Sequence, residues 1–313
     1  MQHRNSIKRI GIIGAGAIGE AYASMFHDMD RDSTSFIAAG ERAARLESGG
    51  IIVNGKHYSM PVYRPGQNPA PFDLIIVAVK HHHLSQAILD LQGCVGNHTI
   101  LLSFMNGIDS EERIGSVYGM ERILYSILLG IDAVRIGNAV TYSTRGKVFF
   151  GEAKNLSLTE RVQRVKDLFD QAGITYEIPD DMIRTLWWKF MINVGINQAS
   201  AALRSTYGVF QTSQDAKELM ESAMREVIAI ARAMGIDLTE EDIRKWRVVM
   251  SGLSADGKTS MLQDVEAGRK TEVEMFASKV LELGRRSNIP TPVNERLYRL
   301  IKDIEQGQIH EVK

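Results

Sequence analysis

The apolar run Ile10-Gly11-Ile12-Ile13 passes directly into Gly14-Ala15-Gly16-Ala17-Ile18-Gly19, and a helical run from Ala17 to His27 follows at once. Three glycines at this spacing also arise by chance, so the context carries the argument. Strand, glycine loop and helix in immediate succession call for a tight turn at Gly14, an open backbone at Gly16 and close approach of helix to strand at Gly19. Such a turn aims the unpaired N–H groups of a helix N-terminus at a pyrophosphate. The segment therefore predicts a dinucleotide-binding unit, with Gly14, Ala15, Gly16, Ala17, Ile18 and Gly19 as cofactor-binding residues.

The pattern downstream agrees with a sheet built on that first strand. Ile7–Ile13, Ser35–Ala38, Leu74–Val79, Thr99–Ser103 and Ile123–Leu128 read as strands alternating with helical segments, which predicts a mostly parallel sheet covered by helices. Asn54-Gly55 between strand-like flanks predicts an inserted hairpin over 51–58, and Arg145-Gly146 marks a second antiparallel excursion. After Pro179 the texture changes. Asp180–Leu203, Asp215–Met234, Glu240–Met250, Thr271–Ser287 and Val293–Glu305 all have helical periodicity, with a capping box expected at Ser157–Glu160 and a cap at Thr239. The expected fold class is α/β, a Rossmann-type mostly parallel sheet domain over 1–178 followed by an all-helical domain over 179–313.

A chain of 313 residues suits two domains with room for a cleft. Its 37 basic and 38 acidic residues leave a net charge of -1, too little to hold nucleic acid or an anionic membrane, so small molecules are the expected partners. Cys94 stands alone, which excludes an intramolecular disulfide and fits the cytoplasm. No apolar run is long enough to span a bilayer, and neither a signal peptide nor an anchor is expected from the N-terminus. His81-His82-His83 are adjacent and cannot all face one ion, so no metal site is expected.

The most informative helical segment is Leu186-Trp187-Trp188-Lys189-Phe190-Met191-Ile192-Asn193-Val194-Gly195-Ile196-Asn197. Lys189, Asn193 and Asn197 are its charged and amide side chains, and steps of four residues drift by only about 40° each, so the three share one face over roughly 12 Å. Trp187, Trp188 and the aliphatic residues around them predict burial nearly all round. A polar stripe that narrow lines a cleft or an internal network rather than a wet surface. A lysine there can donate a proton or hold a carboxylate, and the amides can bind a substrate's oxygens.

Several separated motifs then occur in one order: the glycine loop, Val79-Lys80 closing a strand, Asn106-Gly107 closing the next, Lys189-x3-Asn193-x3-Asn197, Thr259-Ser260-Met261-Leu262-Gln263-Asp264 with Glu272 beyond it, and Pro290-Thr291-Pro292-x-Asn294. In these motifs the chain resembles the ketopantoate reductase (2-dehydropantoate 2-reductase) family over nearly its whole length. The resemblance implies hydride transfer from NAD(P)H to the C2 ketone of ketopantoate, giving pantoate for pantothenate and coenzyme A synthesis. It implies Lys189 as general acid and Glu272 as a second catalytic residue that hydrogen-bonds near the cofactor. Asn106, Asn193, Asn197 and Ser260 would bind the keto acid, and Lys80 and Asn106 would contact the cofactor.

At two positions the chain departs from that pattern. Ala39 stands where most members carry an arginine for the 2′-phosphate, leaving Arg42 as its substitute, so NADPH is the expected cofactor and NADH stays open. Tyr207 replaces an asparagine of some members. Two further readings therefore remain, a related dehydrogenase acting on another 2-keto or 3-hydroxy acid and a silent dinucleotide-sensing protein. The resemblance also leaves a homodimer open.

Overall fold

The computed structural model describes residues 6–67 and 70–307, so the leader expectation for Met1–Asn5 lies outside the described residues. Two compact units emerge, Met1–Ile183 and Arg184–Lys313. The expected boundary at 178/179 differs for a physical reason: 179–182 is bonded back into the first unit. Asn155 donates from Nδ2 to the Pro179 carbonyl (2.6 Å) and from its backbone N–H to that of Asp180 (2.9 Å), and the Met182 N–H reaches the Ala153 carbonyl (3.1 Å).

The first unit runs β1 (Ile10–Ile13), α1 (Ala17–Met29), β2 (Thr34–Ile37), α2 (Gly40–Gly49), β3 (Ile51–Val53), β4 (Lys56–Tyr58), β5 (Val62–Tyr63), β6 (Leu74–Val77), α3 (Leu84–Asp90), β7 (Ile100–Ser103), α4 (Ser110–Tyr118), β8 (Ile123–Ile131), β9 (Val134–Ile136), β10 (Ala139–Thr141), β11 (Arg145–Gly151), α5 (Glu160–Gln171) and β12 (Tyr176–Glu177). Eight strands form the main sheet in the order β12-β11-β8-β7-β6-β1-β2-β5. Its pairings are parallel except β8 with β11. The central strands β1, β6 and β7 are buried throughout, which is why they read as unbroken apolar runs.

The predicted hairpin over 51–58 forms, with Asn54 (φ 48) and Gly55 (φ 78) in the left-handed turn that an Asn-Gly pair favours. It belongs, however, to a separate four-stranded sheet of order β4-β3-β10-β9, whose strands β9 and β10 the sequence did not announce, while the excursion expected at Arg145-Gly146 opens β11, antiparallel to β8 in the main sheet. The four-stranded sheet packs on α1, whose own face from Gly19 to Phe26 is buried, with Tyr22 edge-on to Phe104 at 4.8 Å. Each large side chain buried there contributes on the order of 2 kcal/mol. Cys94 lies in the core on the other face of the main sheet.

The second unit is helical among its described residues. It contains α6 (Met182–Leu203, beginning two residues before the division), α7 (Tyr207–Thr212), α8 (Gln214–Ala233), α9 (Glu240–Ser251), α10 (Ser260–Glu266), α11 (Lys279–Ser287) and α12 (Pro292–Glu305). Thr239 caps α9 in a reciprocal box with Asp242, as expected. Two local expectations need correction. The cap of α5 is Thr159 rather than Ser157: its side chain accepts from the Val162 N–H, and it is held by Glu152 at 2.7 Å. The helix expected from Thr271 starts later, with a π-turn over Glu274–Ser278, and Thr271 stands outside it with its N–H and hydroxyl both tied to Glu305 (2.8 and 2.6 Å). No helix among the described residues is long and apolar enough to cross a membrane.

Candidate active site

In the first unit the three glycines of the loop have three different jobs. Gly14 sits at φ +113, and a side chain there would collide with the Ala78 carbonyl at the end of the neighbouring strand β6. A side chain on Gly19 would collide with the Gly14 carbonyl, so this glycine lets α1 approach the turn. Around Gly16 nothing among the described residues lies within 4 Å of an added Cβ. It is the N-cap of α1, offers no capping side chain and leaves the first N–H groups of the helix to a ligand. The loop is thus packed on both sides of an open centre, which fits a pyrophosphate.

Around that loop, Arg42 is exposed in the first turn of α2, Lys80 is exposed just beyond β6, and Asn106 is half-buried just beyond β7. All three lie near C-terminal strand ends, where open parallel sheets bind ligands. Beneath the Asn106-Gly107 turn runs a buried chain of side chains: Ser126 Oγ donates to the Ser103 carbonyl, Ser103 and Ser110 share a hydroxyl bond, and Ser110 Oγ donates to Glu111 Oε2, each at 2.7 Å. Burial pushes the Glu111 carboxyl up to about 7, against the opposing pull of the Ser110 hydrogen bond.

A feature the sequence reading missed lies on the far side of the loop. Arg135 reaches from β9 to donate Nη1 to the Ala15 carbonyl (2.6 Å), and the same atom lies 3.2 Å from Glu20. Glu20 is 0% exposed, and among the described residues its carboxylate oxygens accept no hydrogen bond. A carboxylate on the buried face of α1 was the available sequence signal; Arg135, flanked by apolar residues on a short strand, gave none.

The second unit gathers most of the remaining expected residues on and around α6. Lys189 and Asn197 are only 8% and 7% exposed and Asn193 is half-buried, so the stripe does not meet bulk water as an ordinary amphipathic face would. Asn197 Nδ2 donates to Asn193 Oδ1 at 3.1 Å, which brings two of the three together. Gln198 sets the rotation of the helix: its amide donates to Asn294 Oδ1 (2.9 Å), and Asn294 in turn donates to Glu226 (2.7 Å). Glu272 is 8% exposed, not part of a solvated face, and precedes the π-turn whose Phe276 ring lies 6.4 Å from that of Phe190 on α6. Ser260 is exposed at the first position of α10; the cap is its neighbour Thr259, bonded to Ser200 on α6 at 3.2 Å. Trp187 is buried against Phe190 at 6.0 Å. Tyr207 is half-buried, and burial raises its hydroxyl pKa.

Residues 10–155 match the family described as ketopantoate reductase PanE/ApbA, and residues 181–305 match the ketopantoate reductase PanE/ApbA C-terminal family. The chain belongs to the ketopantoate reductase family. A 2-dehydropantoate 2-reductase of Mesorhizobium japonicum is 26% identical over 96% of this chain and 99% of its own. Among solved structures, 2-dehydropantoate 2-reductase from Geobacter metallireducens superposes with a TM-score of 0.82 at 26% identity, covering 94% of this chain and 99% of its own. D-mandelate dehydrogenase with NADH and anilino(oxo)acetate reaches 0.86 at 21% identity, over 96% and 99%, and so shares the fold. As a ketopantoate reductase family member the chain is a nicotinamide-dependent oxidoreductase with a Rossmann-type domain and a helical C-terminal region.

Proposed function

We propose that the chain is a 2-dehydropantoate 2-reductase that uses NADPH in the cytoplasm, with the loop Gly14–Gly19, Arg42, Lys80 and Asn106 on the cofactor and Asn106, Asn193, Asn197 and Ser260 on the keto acid. The observation that carries this reading is the stripe of buried Lys189 and Asn197 with half-buried Asn193, on a segment of α6 (186–197) whose other side chains are apolar. Burying an ammonium and two amides is costly unless they serve a polar ligand or network.

When bound, the reduced nicotinamide supplies a hydride to the ketone carbon. The Lys189 ammonium stabilises negative charge growing on the ketone oxygen and donates the proton that completes the alcohol; the neutral amine regains a proton from solvent. Asn193 and Asn197 orient the ketone and hydroxyl oxygens, and the bond between them presets one amide for the other. Ser260 donates to the substrate carboxylate. Glu272 accepts hydrogen bonds that hold the donors in place.

Loss of NADPH absorbance on adding ketopantoate tests the reading; folded protein that turns over neither NADPH nor NADH refutes it. Reduction of a different 2-keto acid is the second reading, favoured by Tyr207 at a position of asparagine in some members. A higher kcat/KM on another keto acid than on ketopantoate would establish it.

A further inference from the structure

Three arginines converge on one carboxylate beside the glycine loop. Arg135 Nη1 lies 3.2 Å and Arg45 Nη2 3.8 Å from Glu20 Oε1, and Arg42 acts on the same carboxylate through its charge. The arginines also act on one another: burial first, then Arg135 and Arg42, lower the pKa of Arg45, while Glu20 only partly offsets them. Three guanidinium groups against one carboxylate leave about two positive charges uncompensated in the cluster. Burial moreover raises the Glu20 pKa, so its negative charge is the weaker partner. All three guanidinium-bearing side chains are a quarter or more exposed or on the surface, while the carboxylate beneath them is fully enclosed. The cluster presents cations outward on an acidic base.

Position decides which anion this suits. Arg42 and Arg45 stand on α2, the helix that follows β2, and the end of that strand is where the ribose 2′ substituent of a bound dinucleotide is read. Arg135 ties the cluster to the loop by its bond to the Ala15 carbonyl. Ala39, the N-cap of α2, brings no charge and no capping bond, and Gly40 leaves open space. A phosphate monoester carries a charge of roughly −1.5 to −2 at neutral pH, which matches the surplus. Guanidinium groups pair with it through directed, charge-assisted hydrogen bonds.

We propose that Arg135 and Arg45, positioned by the buried Glu20 and joined by Arg42, form the subsite for the 2′-phosphate of NADPH, so that a strand of the small inserted sheet selects the cofactor. This rests on the reading that the loop binds a nicotinamide dinucleotide. Glu41, exposed in the first turn of α2, is the competing group, since a carboxylate there would favour the free 2′-hydroxyl of NADH.

The test is direct titration of the full chain with NADPH, NADH and adenosine 2′,5′-bisphosphate, without keto acid. Wild-type protein should bind NADPH at least about ten-fold more tightly than NADH. Arg135→Gln and Arg45→Gln should each cut that ratio by roughly ten-fold and weaken the bisphosphate in parallel, while Arg135→Lys should restore part of it. Measuring a ratio makes the NADH titration the control for folding. Equal affinity for the two dinucleotides in the wild type overturns the proposal, as does an equal loss of both in Arg135→Gln, which would make Arg135 a pyrophosphate contact. Both outcomes leave the reductase reading standing. A wild-type chain that binds neither dinucleotide overturns that reading together with this one.

Discussion

The two units prepare their ligand chemistry in opposite ways. In the first, the backbone does it: Gly14 and Gly19 are there because backbone atoms crowd them, and Gly16 is there because nothing does. In the second, side chains do it: α6 places Lys189 and Asn197 in the interior, with Asn193 half-buried beside them, where packing alone would favour leucine. A backbone site is generic and recognises what all dinucleotides share. A side-chain site is specific, and in the proposed reading it is the one that recognises the substrate.

That contrast can be broken by substitution. The largest effect should come from the side-chain site: Lys189→Ala should lower kcat by a factor on the order of 10² to 10⁴ while dinucleotide titration is unchanged, because only the proton donor is lost. Retained kcat would remove Lys189 from the chemistry. In the backbone site the loss should appear as stability instead. Gly14→Ala combines a positive φ with a collision against backbone, and should cost about 3 kcal/mol or more in urea unfolding, whereas Gly16→Ala should unfold like the wild type and bind dinucleotide less tightly. Equal stability of the two variants would mean that the loop is not divided in this way.

Within the first unit, Glu111 lies buried on α4, next to the Asn106 turn. Its carboxyl is raised from 4.5 to about 7 by burial, so the folded state holds a proton that the unfolded state releases earlier. Its favourable contribution is therefore complete below about pH 4.5 and lost as pH rises toward 7, on the order of 3 kcal/mol in all. Glu111→Gln, always neutral, should flatten the fall in unfolding free energy between pH 5 and about 8; an unaltered pH slope would show that another group is responsible. The smallest effect expected is that of Asn193→Ala, a rise of about ten-fold in KM for the keto acid with little change in kcat, checked by steady-state kinetics. A fall in kcat alone would place Asn193 in the transition state instead.

Much of this was legible in the sequence because it is local. Strand, glycine loop and helix are contiguous, the Asn54-Gly55 turn is a two-residue event, and the stripe on α6 is a single helical period. Features that depend on distant partners were hidden. Nothing in Ser157-Leu158-Thr159 says which hydroxyl caps α5 until Glu152 fixes Thr159. Thr271 is kept out of the helix by Glu305, 34 residues away, which no local pattern announces. Arg135 approaches the glycine loop from 120 residues downstream, on a small sheet of which the sequence announced only the 51–58 hairpin.

The central claim is that a generic backbone site and a specific side-chain site together reduce ketopantoate. Steady-state kinetics of purified protein with ketopantoate, comparing NADPH with NADH, test it most directly. Saturable turnover, faster at limiting NADPH than at limiting NADH and lowered on the order of 10²-fold or more in Lys189→Ala, is the predicted result. Dinucleotide binding with no turnover of ketopantoate would contradict the account.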